Sequence, residues 1–180
     1  MKRVAIFGNV GGGKSTLARE LADITGLPLH GLDKLHGEVP YEEYLEAHKI
    51  LVNRDEWIME GFGCIKSIWQ TLEAADTLIH IDLPLTVHVL WVTKRLVKGL
   101  FVTPEAWPEN SKTIRGSIHC YRLLWPCHSR LTPVYRSYVS EVAQQKRVFH
   151  LRSSRELKKF LEAIKNESRA AHSHANQATR

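Results

Sequence analysis

A chain of 180 residues with 43% hydrophobic and 24% charged residues can bury one core unaided and is too short for a second full domain. It contains no run of about 18 uncharged apolar residues, so no membrane-spanning helix is expected, and the three cysteines (Cys64, Cys120 and Cys127) form no CxxC pair and suit a reducing, cytoplasmic setting better than a disulfide scaffold. The net charge of +6 favours anionic ligands without choosing among nucleotides, phosphorylated metabolites and nucleic acid, because the basic residues are dispersed rather than gathered in one run.

In chain order, the continuously apolar Val4-Ala5-Ile6-Phe7 reads as a strand covered on both faces. A glycine-rich turn follows, then a helix over about 14–25 with Leu17, Leu21 and Ile24 at helical spacing and Gly26 as its stop. A second strand over about 28–32 ends at Asp33, and residues 41–53 read as an amphipathic helix through Tyr44, Leu45, His48, Ile50 and Leu51. Trp57-Ile58-Met59 is the third strand and ends in Glu60-Gly61. A helix over 65–74 leads to the fourth strand, 77–81, closed by Asp82, whose place before Pro84 and a helix suggests a capping role. That helix runs to about Lys98. Residues 101–112, with Pro104 and Pro108, read as a loop, followed by helical pieces over about 113–125 and 130–144, a last strand over 147–151 and a closing helix over about 154–165. From 166 to 180 the composition turns small and polar, as in a frayed tail, so the expected single domain spans 1–165. Alternating strands and helices imply a parallel sheet with helices on both faces.

Gly8, four residues, then Gly13, Lys14 and Ser15 complete the pattern G-x-x-x-x-G-K-[ST] between a strand and a helix, the setting in which that pattern is a phosphate-binding P-loop. Gly8, Gly11, Gly12 and Gly13 let the backbone wrap closely, so that its N–H groups and the helix start, through Thr16, face phosphate oxygens. Lys14 then brings a cation to the β and γ phosphates, and Ser15 is the expected Mg²⁺ ligand. ATP with Mg²⁺ is the expected pair. In parallel sheets ligands bind beyond the carboxyl ends of the strands, which makes Asp33 and Glu60 the next candidates.

The P-loop with its helix STLARELADITGLP, the strand-end HGLDKL, WIMEGF and ADTLIHIDLP before a basic helix resemble the adenylate-kinase-like P-loop kinases, in particular the small bacterial branch known as topology modulation proteins. The resemblance covers roughly residues 2–163. It implies an α/β, three-layer P-loop NTPase sandwich with a five-stranded parallel sheet, an acceptor-binding segment over about 33–56 and a helical lid over about 98–136. It also implies that Glu60 helps to hold Mg²⁺, that Asp33 orients the phosphoryl acceptor, and that Arg95 lies near the base or phosphates. Two departures stand out: Glu60 replaces the more usual Asp, and Glu60-Gly61-Phe62-Gly63 lacks the proline and arginine typical of nucleoside monophosphate kinases, which weakens AMP as acceptor.

Phosphoryl transfer needs alignment and positive charge more than covalent chemistry. Arg115, Arg122, Arg130 and Arg136 are candidates to supply that charge from the lid, with Arg122 and Arg130 favoured because they flank the stretch LLWPC. A hydroxyl acceptor would use Asp33 as base or positioner; a phosphate acceptor would instead need cations, for which Lys34, Lys49 and Arg54 are available. Both alternatives stay open at this point, so the acceptor is a nucleoside, a nucleotide or another small molecule. A rival function is a nucleic-acid-associated ATPase, although four of the five tryptophans fall inside predicted strands or helices and only Trp107 falls in a loop. A nucleotide-binding switch without transfer is the third alternative. A metal site on His119-Cys120 and Cys127-His128 is disfavoured, because in a helix the two pairs stand roughly 10 Å apart.

Overall fold

The computed structural model describes residues 1–101 and 112–178, and the side chains of 1–97 and 118–170. Five parallel strands form one sheet: β1 (Arg3–Gly8), β2 (Leu29–Gly31), β3 (Trp57–Glu60), β4 (Thr77–Ile81) and β5 (Arg147–Leu151), in the order β2-β3-β1-β4-β5. Val4, Ala5, Ile6 and Phe7 are each at most 1% exposed, which is why the central strand is apolar at every position and not at alternate ones. Val4, Ile6, Ile58, Ile79 and Ile81 face α1 (Lys14–Thr25) and α8 (Ser154–Ala178) on one side. Ala5, Phe7, Trp57, Met59 and Leu78 face α4 (Ile65–Ala74) and α7 (Thr132–Val142) on the other. The result is the expected three-layer sandwich. Because all the strands run the same way, Gly8, Glu60 and Asp82 emerge at one rim of the sheet.

The bounds of α1, α4, β4 and β5 match the expectation, and α1 stops where Gly26 turns left-handed at φ 73° and donates its N–H to the Ala22 carbonyl at 2.8 Å. Four features differ. The second strand is shorter than expected, and a helix, α2 (Leu32–Glu38), takes over at Leu32, so Asp33 lies in a first helical turn, where its charge suits the exposed N–H groups. α3 (Tyr41–Val52) follows as expected, and α5 (Leu85–Phe101) runs past Lys98. The two helical pieces expected after it are joined: α6 (Lys112–Pro126) passes through a π-helical turn, Cys127–Leu131, into α7, with Pro126 and Pro133 withholding the N–H groups that ordinary α-helical bonding would use. Finally, α8 continues through the expected tail to Ala178, tethered by a hydrogen bond from the Ser168 hydroxyl to the Ile24 carbonyl at 3.2 Å and by Arg147–Glu167 at 3.4 Å. Pro104, Pro108 and Trp107 lie outside the described residues. Trp57 is fully buried, whereas Trp125, inside α6 as expected, is 66% exposed. Among the described residues no helix is long and apolar enough to cross a membrane.

Asp82 does not cap a helix. Its buried carboxylate accepts from Arg136 Nε at 2.7 Å and Nη2 at 2.9 Å, and pairs with His150 Nε2 at 2.7 Å. Although burial alone would raise its pKa, these donors and the nearby charges hold it down at about 2. A folded pKa below the ordinary carboxylate value stabilises the fold above that value, and the contribution disappears as pH falls towards 2. Removing one partner leaves a buried charge short of donors, so Arg136→Ala is expected to cost about 2 kcal/mol in urea unfolding, below the usual range for a broken buried pair because Arg136 is half-exposed and His150 remains.

His80 lies beneath that pair. Its ring stacks between Phe7 at 5.0 Å and His150 at 4.8 Å, it is 1% exposed, and its Nδ1 has no hydrogen-bond partner among the described residues. Burial, aided by the charges of His150, Arg136 and Arg152 and opposed by Asp82, depresses its pKa from 6.5 to about 4. The unfolded chain therefore takes up this proton first, and stability should fall by about 3 kcal/mol between pH 6.5 and 4. His80→Phe is expected to flatten that part of a urea-midpoint profile.

Candidate active site

The loop from Gly8 to Thr16 is shaped by its close neighbours. A Cβ at Gly8, where φ is 139°, would stand 2.2 Å from the Ile81 carbonyl oxygen, and one at Gly13, where φ is 77°, would stand 2.8 Å from the Trp91 ring. Asn9, a residue the sequence pattern leaves unspecified, braces the loop: its Oδ1 accepts from Val10 N at 2.7 Å and its Nδ2 donates to the Leu124 carbonyl at 3.2 Å. From α5, buried His88 meets the Val10 carbonyl through Nδ1 at 2.9 Å; since a carbonyl only accepts, Nδ1 carries the proton. Burial keeps the His88 pKa low, with the Lys14 charge adding to the effect, so the ring holds the loop as a neutral donor.

Lys14 Nζ donates to the Asn9 carbonyl at 3.0 Å, which folds its ammonium back over the loop. A cavity of about 450 Å³ opens there, lined by Gly11, Gly12, Gly13, Lys14, Ser15 and Thr16 together with Asp33, Glu60, Trp91 and Arg95. Burial pushes the Glu60 carboxyl pKa up, with Asp33 adding to the shift, while Lys14, the Ser15 hydroxyl and Arg19 oppose it. A hydroxyl and a carboxylate on one wall, beside a loop built for phosphate, are hard oxygen donors of the kind Mg²⁺ takes, so Ser15 and Glu60 fit that ion.

Asp33 sits at a junction. Its Oδ1 accepts from Phe62 N at 2.9 Å and Gly63 N at 2.8 Å, which ties α2 to the segment after β3, while Oδ2 lies against Gly61. A second cavity of about 590 Å³ shares Lys14, Asp33 and Arg95 with the first and is walled by Phe62, Leu123, Cys127, Leu131 and Tyr135. Arg95 donates from Nη2 to Cys120 Sγ at 2.9 Å, at the border of the two spaces.

Lys14, Ser15, Asp33, Glu60 and Arg95 are thus brought together. Arg122 and Arg130 are not: both are exposed and line neither cavity. Arg136 is held by Asp82, and the Arg115 side chain lies outside the described residues. Lys34 is exposed and pairs with Glu38 at 3.7 Å, while Lys49 and Arg54 are exposed, and none of the three lines either cavity. His119, Cys120 and Cys127 line the second cavity but His128 lines a different one, so the four do not converge on an ion. His80, Asp82 and His150 do cluster, with their possible ligand atoms within 4.8 Å of one another, yet Asp82 is already engaged by Arg136 and by His150 Nε2. Asn9 and His88 are residues the motifs missed, and the contacts by which they reach across the fold, to Leu124 and Val10, join positions 115 and 78 residues apart, which leaves no local signal.

The fold is similar to that of shikimate kinase from Acinetobacter baumannii, solved in complex with shikimate, with a TM-score of 0.57 and 15% identity over 93% of this chain and 94% of that one. Shikimate kinase from Bacteroides thetaiotaomicron (TM-score 0.47, 12% identity, 92% of this chain and 97% of that one) and a sugar kinase from Janibacter sp. HTCC2649 (TM-score 0.37, 18% identity, 68% and 95%) also match. No family model and no curated protein matches the chain significantly. At these identities the likeness is one of fold, an α/β P-loop NTPase with a five-stranded parallel sheet, and shows no particular branch.

Proposed function

We propose that the chain is a phosphotransferase that moves the γ-phosphoryl group of ATP, held with Mg²⁺, to a small acceptor. The observation that carries this reading is the pair of adjoining cavities, one walled by the P-loop and one by α6 and its neighbours, that meet at Lys14, Asp33 and Arg95. A nucleotide-binding switch needs only the first of them. In this reading residues of about 33–56 flank the acceptor, and the span of about 98–136 covers it as a lid.

The loop amides and the start of α1 hold the phosphates, and Lys14 meets the charge that develops on the moving group. Mg²⁺, held through Ser15 and Glu60, would neutralise phosphate charge when bound. Arg95 steadies the γ-phosphate at the border, and Asp33 orients the acceptor. Glu60→Gln removes the anionic donor and is expected to raise the Mg²⁺ concentration for half-maximal rate at least about tenfold, as read from magnesium titrations of ADP release.

Testing the whole reading takes ADP release from ATP with Mg²⁺ across nucleosides, nucleoside monophosphates and small phosphorylatable metabolites, with Lys14→Ala as the blank. One acceptor class should accelerate release. Equal release with every compound, or none with any, would point to hydrolysis or to binding alone.

A further inference from the structure

We infer that the phosphoryl acceptor is an uncharged alcohol carrying a ring or other apolar body, and not a phosphomonoester, an inference that rests on the phosphotransferase reading above. A phosphomonoester brings close to two negative charges at neutral pH and needs cations or many donors to leave water. Among the described residues, the wall of the second cavity away from the P-loop is made by Phe62, Leu123, Leu131 and Tyr135 together with His119, Cys120, Cys127 and Thr132, none of them a permanent cation. Among the described residues its permanent cations are Lys14 and Arg95, and both also line the donor cavity, where the γ-phosphate would engage them. The three cations of the acceptor segment, Lys34, Lys49 and Arg54, all stand outside.

Asp33 points the same way. Its carboxylate lies at the junction with one oxygen already fixed by two backbone N–H groups, so a fixed anion faces the incoming acceptor. An anion at that point repels a second phosphate and attracts a hydroxyl proton. In the step itself the acceptor oxygen bonds to the γ-phosphorus while the bond from that phosphorus to the oxygen bridging it to the β-phosphate breaks; the hydroxyl proton passes to Asp33 and then to solvent, and ADP leaves. A phosphate acceptor would carry no proton needing a base. The cavity volume of about 590 Å³ is in the range that encloses small organic ligands, so a flat or cyclic body has room against the Phe62 and Tyr135 rings.

Matched pairs test this. The common nucleosides are compared with their own 5′-monophosphates, and 2-phenylethanol with its phosphate ester, by ADP release with ATP and Mg²⁺ and by calorimetry with a non-hydrolysable ATP analogue present. In each responding pair the alcohol should be favoured by at least about 100-fold in kcat/KM, the size of discrimination available to a site that leaves a charged group unpaired. Leu131→Arg puts a guanidinium into that wall and should cut the preference at least about tenfold. A monophosphate preferred over its own nucleoside would overturn the inference, and so would silence from every alcohol while ATP with Mg²⁺ still binds. Failure of ATP to bind at all would instead remove the phosphotransferase reading, and this inference with it.

Discussion

Lys14→Ala is expected to lower acceptor-stimulated ADP release at least about 10³-fold, the scale on which removal of a charge-stabilising group from a phosphoryl-transfer site is felt. Lys14 lines both cavities, and the neighbouring cations that line the first of them, Arg19 and Arg95, have other partners. Arg95 donates to Cys120 Sγ, and Arg19 donates from Nε to the Ser15 carbonyl at 3.2 Å, so neither takes the place of Lys14 over the Asn9 carbonyl. The fold should not register the loss, because Lys14 contributes one hydrogen bond at a partly exposed position, so the urea midpoint should correspond to a change within about 0.5 kcal/mol. Equal rates for Lys14→Ala and the unaltered protein would separate the P-loop from the reaction.

For Asp33→Asn the expected result is a kcat reduced about 10² to 10⁴-fold with ATP affinity nearly unchanged, because the position acts on the acceptor and not on the triphosphate. The carboxamide oxygen can still accept from Phe62 N and Gly63 N, so the tie between α2 and the segment after β3 survives and the change isolates charge from architecture. Acceptor-independent hydrolysis, measured alongside, should change far less. A variant with wild-type kcat would remove Asp33 from the chemistry.

What the sequence made legible was what is encoded locally. Gly8 to Thr16 carry their geometry in a short run of residue types, and β1 and α1 follow from an unbroken apolar stretch and from Leu17, Leu21 and Ile24 on one face. α2 was hidden because Leu32–Glu38 is too short to show a helical period and contains Gly37. The role of Asp82 was misread because its partners, Arg136 and His150, lie 54 and 68 residues further on. Arg122 and Arg130 stand outside for a different reason: the stripe that lines the cavity is Leu123, Cys127 and Leu131, and each arginine sits one position before a member of it. Spacing also could not say which wall of the acceptor space carries charge, since that depends on which helices pack around it.

Isothermal titration calorimetry of the purified chain with ATP, with and without Mg²⁺, tests the central claim most directly. Saturable heat at one nucleotide per chain, strengthened by Mg²⁺ and lost in Lys14→Ala, is the predicted result. No saturable heat from ATP with Mg²⁺ would contradict a loop whose amides and ammonium are arranged around a polyphosphate.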